Sequence, residues 1–132
     1  EGLVAALQAR LAAVESRARL QTEIRLGGER RLPIVVEEQL FRIALEALNN
    51  VIKHATAQQV IVSLQFQDQD VYLEIRDDGI GFDPATIRRS GGRGLTGIEE
   101  RVQRIQGTFT IQSTPGNGTT LCVRCPIQES RT

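Results

Sequence analysis

Four short polar clusters in this chain have residue types and spacings that could do chemistry. The first is Glu46 with Asn50, followed by Lys53. Residues four apart on a helix are neighbours on one face, so a carboxylate, an amide oxygen and an ammonium would stand in a row. That set suits a hydrated Mg²⁺ and phosphates, because magnesium takes oxygen ligands, keeps several waters and shares the phosphates of its nucleotide. The same residues would also make an ordinary solvated helix face. The second cluster is Asp77 with Gly79 and Gly81. Asp77 keeps the parity of Val71, Leu73 and Ile75, so its side chain should emerge on the buried face of a strand. A carboxylate there must find donors, and the exocyclic amine of adenine would be one. The two glycines would let the backbone turn tightly and approach a flat ring; a plain Asp-Gly turn is the simpler alternative.

The third cluster is Gly92-Arg93-Gly94-Leu95-Thr96-Gly97, a literal G-x-G-x-x-G. A dinucleotide fingerprint needs a strand just before it and a βαβ unit around it. Here a polar loop precedes and antiparallel strands are expected to follow, so that reading is rejected. Glycines running into a helix N-terminus can still present amides to phosphate. Arg88, Arg89 and Arg93 would add charge there, or simply line a solvated loop. The fourth is Thr119, which follows Gly118 and shares parity with Leu121 and Val123. An inward hydroxyl at a strand start bonds a buried water or ligand, or satisfies local backbone. His54 is the only histidine. It follows Lys53 at a helix end, where an imidazole caps carbonyls. A structural or nucleotide-edge role is expected for it, not that of a nucleophile.

The elements that must position these groups follow from periodicity. Leu3, Leu7, Leu11 and Val14 predict a helix over 3–20. Leu20–Leu26 alternates as a short strand, broken by Gly27-Gly28. The clearest helix is predicted over 36–55, where Leu40, Ile43, Ala44, Ala47, Leu48, Val51 and Ala55 form one apolar stripe. Val60–Phe66 and Val71–Ile75 alternate about Gln67–Asp70 and read as a hairpin. Asp77–Pro84 is a dense turn signal, and 85–93 reads as a polar, Arg-rich loop. A further helix is expected from about Leu95 to Ile105, capped by Gly107. Phe109 and Ile111, the turn 114–118, then Leu121, Val123 and Cys125 make a closing hairpin. The expected fold is α/β (α+β): a two-layer sandwich of a mixed, mostly antiparallel sheet with helices on one face.

Composition bounds the rest. The 132 residues suit one domain, 1–132, with one core. Sixteen basic and sixteen acidic residues cancel, which gives no push toward nucleic acid or an anionic membrane. No apolar run approaches the roughly 18 residues of a membrane span, and no secretory leader is visible. The chain has no methionine, so a piece of something longer is expected. Cys122 and Cys125 lack the second pair that a zinc ribbon needs. Three apart on a strand they point to opposite faces, so two small side chains in a reduced cytoplasmic protein are expected.

In this order the clusters resemble the GHKL ATPase superfamily, and within it the sensor histidine kinases. The stretch Glu46-Ala-Leu-Asn-Asn-Val-Ile-Lys-His-Ala55 resembles the N box, and Asp77-Asp-Gly-Ile-Gly81 the G1 box. Gly92–Gly97 with Ile98-Glu-Glu-Arg-Val102 resembles the G2 box, and Gly118-Thr119 the late G-T pair. The word G-L-x-G-I-x-E-R-V is similar to the subfamily typified by nitrate-responsive and membrane-fluidity sensor kinases. Each box is weak singly; four in order cover nearly the whole chain.

The resemblance implies a GHKL ATP-binding fold, with ATP and Mg²⁺ as cofactors. Asn50 would coordinate Mg²⁺ and Lys53 would reach phosphate. Glu46 would share the metal site and orient or activate a water, as the catalytic residue. Asp77 would bind the adenine amine, supported through water by Thr119. Gly79 and Gly81 would line the adenine pocket, with His54 at the nucleotide's edge. Gly92, Gly94 and Leu95 would flank the phosphates, at the hinge of a lid spanning about 83–93. The partners implied are ATP or ADP, the kinase's own dimerisation and phosphoacceptor helices, and a response regulator. The parent would be a homodimer, its kinase domain cytoplasmic, and this piece monomeric. An anti-sigma-factor-type GHKL serine kinase is the alternative; it shares the first two boxes but not the G-L-x-G-I-x-E-R-V helix. A gyrase, chaperone or mismatch-repair ATPase fits the short lid less well. A non-catalytic nucleotide-sensing module would lack intact boxes. No histidine precedes Leu20, so the isolated chain should bind ATP without phosphorylating itself. Stable transfer of label from γ-labelled ATP onto it would contradict this.

Overall fold

Leu3, Leu7, Leu11 and Val14 recur at helical spacing because they are the buried stripe of α1, Leu3–Ala18. The computed structural model describes residues 2–28, 30–90 and 94–127, the side chains of 88–90 excepted. Arg19 ends α1 in the left-handed region at φ 55°, and the chain enters β1, Gln21–Gly27. α2 spans Ile34–Asn50 and runs straight into a π-helical turn, Val51–Ala55. Two hairpins complete the sheet: β2, Gln59–Gln67, with β3, Asp70–Asp77, and β4, Thr108–Ser113, with β5, Thr119–Pro126. Between the hairpins lie α3, Pro84–Ser90, and α4, Leu95–Arg104.

The sheet order is β1-β2-β3-β5-β4. β1 pairs parallel with β2 across the crossover made by α2, and the other pairs are antiparallel. The α/β two-layer fold expected from the alternation is therefore present, with a mixed sheet. Strand residues alternate between the two faces. Val60, Val62, Leu64, Val71, Leu73, Ile75, Leu121, Val123 and Cys125 are buried on one of them and meet the stripe of α2, Leu40, Ile43, Ala44, Ala47 and Leu48.

Two polar contacts set the helices. The buried Glu37 carboxylate accepts from Leu32 N at 3.0 Å and from Arg31 Nε at 3.2 Å, which holds the chain entering α2. Buried Gln39 Oε1 accepts from Arg101 Nη1 at 3.1 Å and ties α4 to α2.

Several boundaries differ from the periodicity reading, α1 ending at Ala18 rather than 20 and β1 including Gly27 among them. The central helix starts at Ile34, not 36, because Pro33 pre-sets the entry and Glu37 occupies the first turn. The β-branched run Ile34–Val36 hides that start from propensity. The same helix ends at Asn50, and the expected stretch to 55 is a π turn with i→i+5 bonding, closed by Thr56 at φ 50°. The segment 85–93, expected as a loop, begins with a helix. Asp83 caps α3, accepting from Ala85 N at 3.0 Å and Thr86 Oγ1 at 3.1 Å, and Pro84 takes the first position.

Ile43 is fully buried at the centre of this packing. Ile43→Ala should cost roughly 2–5 kcal/mol through lost transfer energy and a residual cavity, read as a lower urea midpoint. Ile52→Ala, at a residue 45% exposed, should shift it by under about 0.5 kcal/mol.

Candidate functional site

Three strands deliver one polar row. Asp77 at the end of β3 pairs with Thr119 at the start of β5, and Thr119 pairs with Ser113 at the end of β4. Directly opposed residues share a face, and here it is the helix-covered one: Asp77 is only 8% exposed. The next row inward, Ile75, Leu121 and Ile111, is apolar. α2 and its π turn add Ala47, Asn50, Val51 and Ala55, α4 adds Leu95, and Phe82 comes from the turn after β3. These residues enclose one pocket. Its free volume is about 30 Å³, room for about two waters.

The polar groups are held by specific bonds. Asp77 Oδ1 accepts from Gly79 N at 2.8 Å. Ser113 Oγ accepts from Phe82 N at 2.9 Å, donates to Gly118 O at 3.1 Å and lies 2.7 Å from Thr119 Oγ1. Asp78, beside the pocket residue, faces the other way. Its Oδ1 accepts from Gln59 N at 3.0 Å and Gln58 N at 2.9 Å. The N–H of Gln59, more than any other group, holds the Asp78 carboxyl below its ordinary range. Ile80 N donates to Ala55 O at 2.7 Å, so the turn after β3 is bonded to the end of the π turn.

Of the residues singled out from sequence, Asn50, Asp77, Leu95 and Thr119 meet around the pocket. Glu46, Lys53, His54, Gly79, Gly81 and Gly94 do not line it. Glu46 is half-buried beside the start of α4, where a Cβ at Gly94 would lie 2.9 Å from its Oε2. Lys53 and His54 are exposed. The π turn changes the angular step after Asn50, so Lys53 does not continue the row that α-helical spacing predicts. Gly79 and Gly81 are needed for backbone packing: a Cβ on Gly79 would collide with the Ala55 carbonyl, and one on Gly81 with the Thr114 carbonyl. Gly92 and Arg93, with the side chains of Arg88 and Arg89, lie outside the described residues. Phe82 and Ser113 join the site without having been singled out. Ser113 was legible only through strand register, and Phe82 through its place after the glycine turn.

Among the described residues no group of three or more His, Cys, Asp or Glu could hold a metal alone. Glu46 and Asn50 offer one carboxylate and one amide oxygen, a set that fits a magnesium arriving on phosphates and is too small for a resident cage. Cys122 is half-buried and Cys125 buried, on opposite faces; burial pushes both thiols up. No helix among the described residues is long and apolar enough to cross a membrane.

Residues 35–129 match the family described as histidine kinase-, DNA gyrase B- and HSP90-like ATPases. The chain belongs to that family. It is 40% identical over 102 residues to the signal transduction histidine-protein kinase/phosphatase DegS of Brevibacillus brevis, covering 77% of this chain and 26% of that one. Over 87 residues it is 44% identical to the histidine-protein kinase/phosphatase UhpB of Salmonella typhimurium, covering 66% of this chain and 17% of that one. The chain thus spans about a quarter or less of these curated relatives' length. The histidine kinase domain of the Erythrobacter litoralis EL346 blue-light activated histidine kinase superposes with a TM-score of 0.81 at 18% identity, covering 96% of this chain and 61% of that one, which shows a common fold. The resemblance drawn from the four boxes is borne out at the level of the ATPase family.

The lowered Asp78 carboxyl has a stability consequence. A group depressed in the folded state stabilises above its unfolded pKa, and that contribution is lost as pH falls through the folded value. Asp78→Asn mimics the protonated form. Its melting temperature should lie below wild type at neutral pH, with the gap closing as pH drops beneath the ordinary value of 3.8. A gap that persists in acid would contradict the assignment.

Proposed function

We propose that this chain is the ATP-binding catalytic domain of a two-component sensor histidine kinase. It donates the γ-phosphoryl of Mg-ATP to a histidine on dimerisation helices elsewhere in the parent protein. The observation that carries this reading is the buried Asp77 carboxylate, set beside Thr119 in a pocket whose other lining is apolar except for Asn50, in a chain of this ATPase family. The names of the curated relatives support a histidine acceptor over a serine one.

Asp77 accepts a hydrogen bond from the adenine amine, and Thr119 adds a second acceptor beside it. Val51, Ile75, Ile111 and Leu121 hold the ring by apolar contact. The pocket is far smaller than the roughly 300 Å³ and above of ligand sites, so entry of the ring requires Phe82 or α4 to give way. Leu95 opens α4 beside Gly94, and its N-terminal amides favour phosphate; Gly92, outside the described residues, is assigned to the same role from its sequence alone. A magnesium ion arriving with the nucleotide would supply charge neutralisation at the transferring group. Asn50 and Glu46 would hold it, Glu46 orienting a water. Lys53 reaches toward phosphate from the exposed π turn, and His54 stays at the nucleotide's edge. The further partners are the parent's own helices, through which it forms a homodimer, and a response regulator. The domain works in the cytoplasm.

Titrating ATP and ADP with Mg²⁺ by calorimetry tests the pocket. Wild type should bind, and Asp77→Asn should weaken binding by at least roughly tenfold, since a charged acceptor bond is lost. Equal affinity of the two chains would remove Asp77 from the site.

A further inference from the structure

Ser113 is a hub whose proton has only one place to go. A serine hydroxyl has one donor and two acceptor lone pairs. Its Oγ meets Phe82 N at 2.9 Å, Gly118 O at 3.1 Å and Thr119 Oγ1 at 2.7 Å. Phe82 N–H can only donate, so it takes one lone pair. Gly118 O can only accept, and Gly118 is buried, where a carbonyl without a donor is costly. The Ser113 proton therefore goes to Gly118 O. The short contact to Thr119 must then be Thr119 O–H donating to the second lone pair of Ser113.

We infer that Ser113 is a specificity-determining positioning residue: by taking the Thr119 proton, it leaves Thr119 facing the pocket as a pure acceptor. Thr119 is the cross-strand neighbour of Asp77, whose carboxylate is also a pure acceptor. The Asp77–Thr119 rung is thus all acceptor and pairs with a ligand group that carries donors. The exocyclic amine of a 6-aminopurine, with two N–H, is such a group. A 6-oxopurine sets a carbonyl acceptor against acceptors at that same position and leaves buried groups unpaired there, which is the strong form of discrimination. A water held between Asp77 and Thr119 would donate to both and keep the same polarity. Ser113 touches no ligand in this arrangement; it acts through Thr119, and through Phe82 it also fixes one wall of the pocket. The inference rests on the nucleotide reading of the site.

The test is the ratio of dissociation constants for ITP and ATP, measured with Mg²⁺ on wild type, S113A, S113T and T119V. In S113A the Thr119 hydroxyl is free to turn and donate, so the ratio should fall by roughly three- to tenfold. S113T keeps the hydroxyl and should restore the wild-type ratio. T119V removes the polarised group but leaves the bonds of Ser113 to Phe82 and Gly118, and it should lower the ratio as S113A does. If S113A does not fold, T119V and S113T decide the matter. A uniform loss of affinity for both nucleotides in S113A and T119V, with the ratio unchanged, would falsify the inference and leave Ser113 a structural role. No binding of either nucleotide by wild type would instead overturn the reading of the site itself.

Discussion

A carboxylate buried at the end of a central strand is the constraint around which this molecule is arranged. Asp77 sits where β3 leaves the sheet, with β2 on one side and β5 on the other. An ionised group in that position is tolerable only with donors close by. Gly79 N is one, and it reaches Oδ1 because the chain turns at once after the strand. That turn in turn demands glycines, since it is pressed against the Ala55 and Thr114 carbonyls. The row through Asp77, Thr119 and Ser113 then gathers the remaining polar atoms at one end of the sheet, and the apolar row behind it begins the core.

The helices serve the same end of the sheet. α2 runs from the buried Glu37 at its start to Asn50 and the π turn at its finish, and its last residues form the pocket wall. The bond from Ile80 N to Ala55 O joins that finish to the turn after β3. Gln39 and Arg101 fix α4 across α2, which brings Leu95 to the pocket and Gly94 to Glu46. Asp78 carries the matching bonds on the outer side, to Gln59, the first residue of β2, and to Gln58 before it.

Much of this was legible because the signals were periodic. The hairpins alternate with period two and α1 and α2 show clean stripes, so sheet, layers and the burial of Asp77 followed from parity. What stayed hidden was not periodic. The π turn escaped notice because Val51 and Ala55, four apart, continue an α-helical stripe without revealing the extra residue in the turn. α3 is polar, and only its Asp83-Pro84 start announces a helix. Ser113 has no local signal; its place beside Thr119 depends on register between β4 and β5. Lys53 and His54 show the converse. The spacing of Lys53 suggested a row with Asn50, and the position of His54 a helix-end cap; the widened turn leaves both exposed.

The seam between β3 and β5 has a consequence for how the molecule comes together. β2–β3 and β4–β5 are local hairpins that close with short turns, whereas β3–β5 joins them across a loop containing α3 and α4. Loop closure must precede any reward from such a contact, so both hairpins can form before the seam does. Asp77 and Thr119 are the rung at its open end. Partial opening there would dissolve the pocket while leaving each hairpin and α2 intact. A molecule bridging both strands would act as a clasp on the strand pair most separated in sequence, slowing amide exchange along β3 and β5.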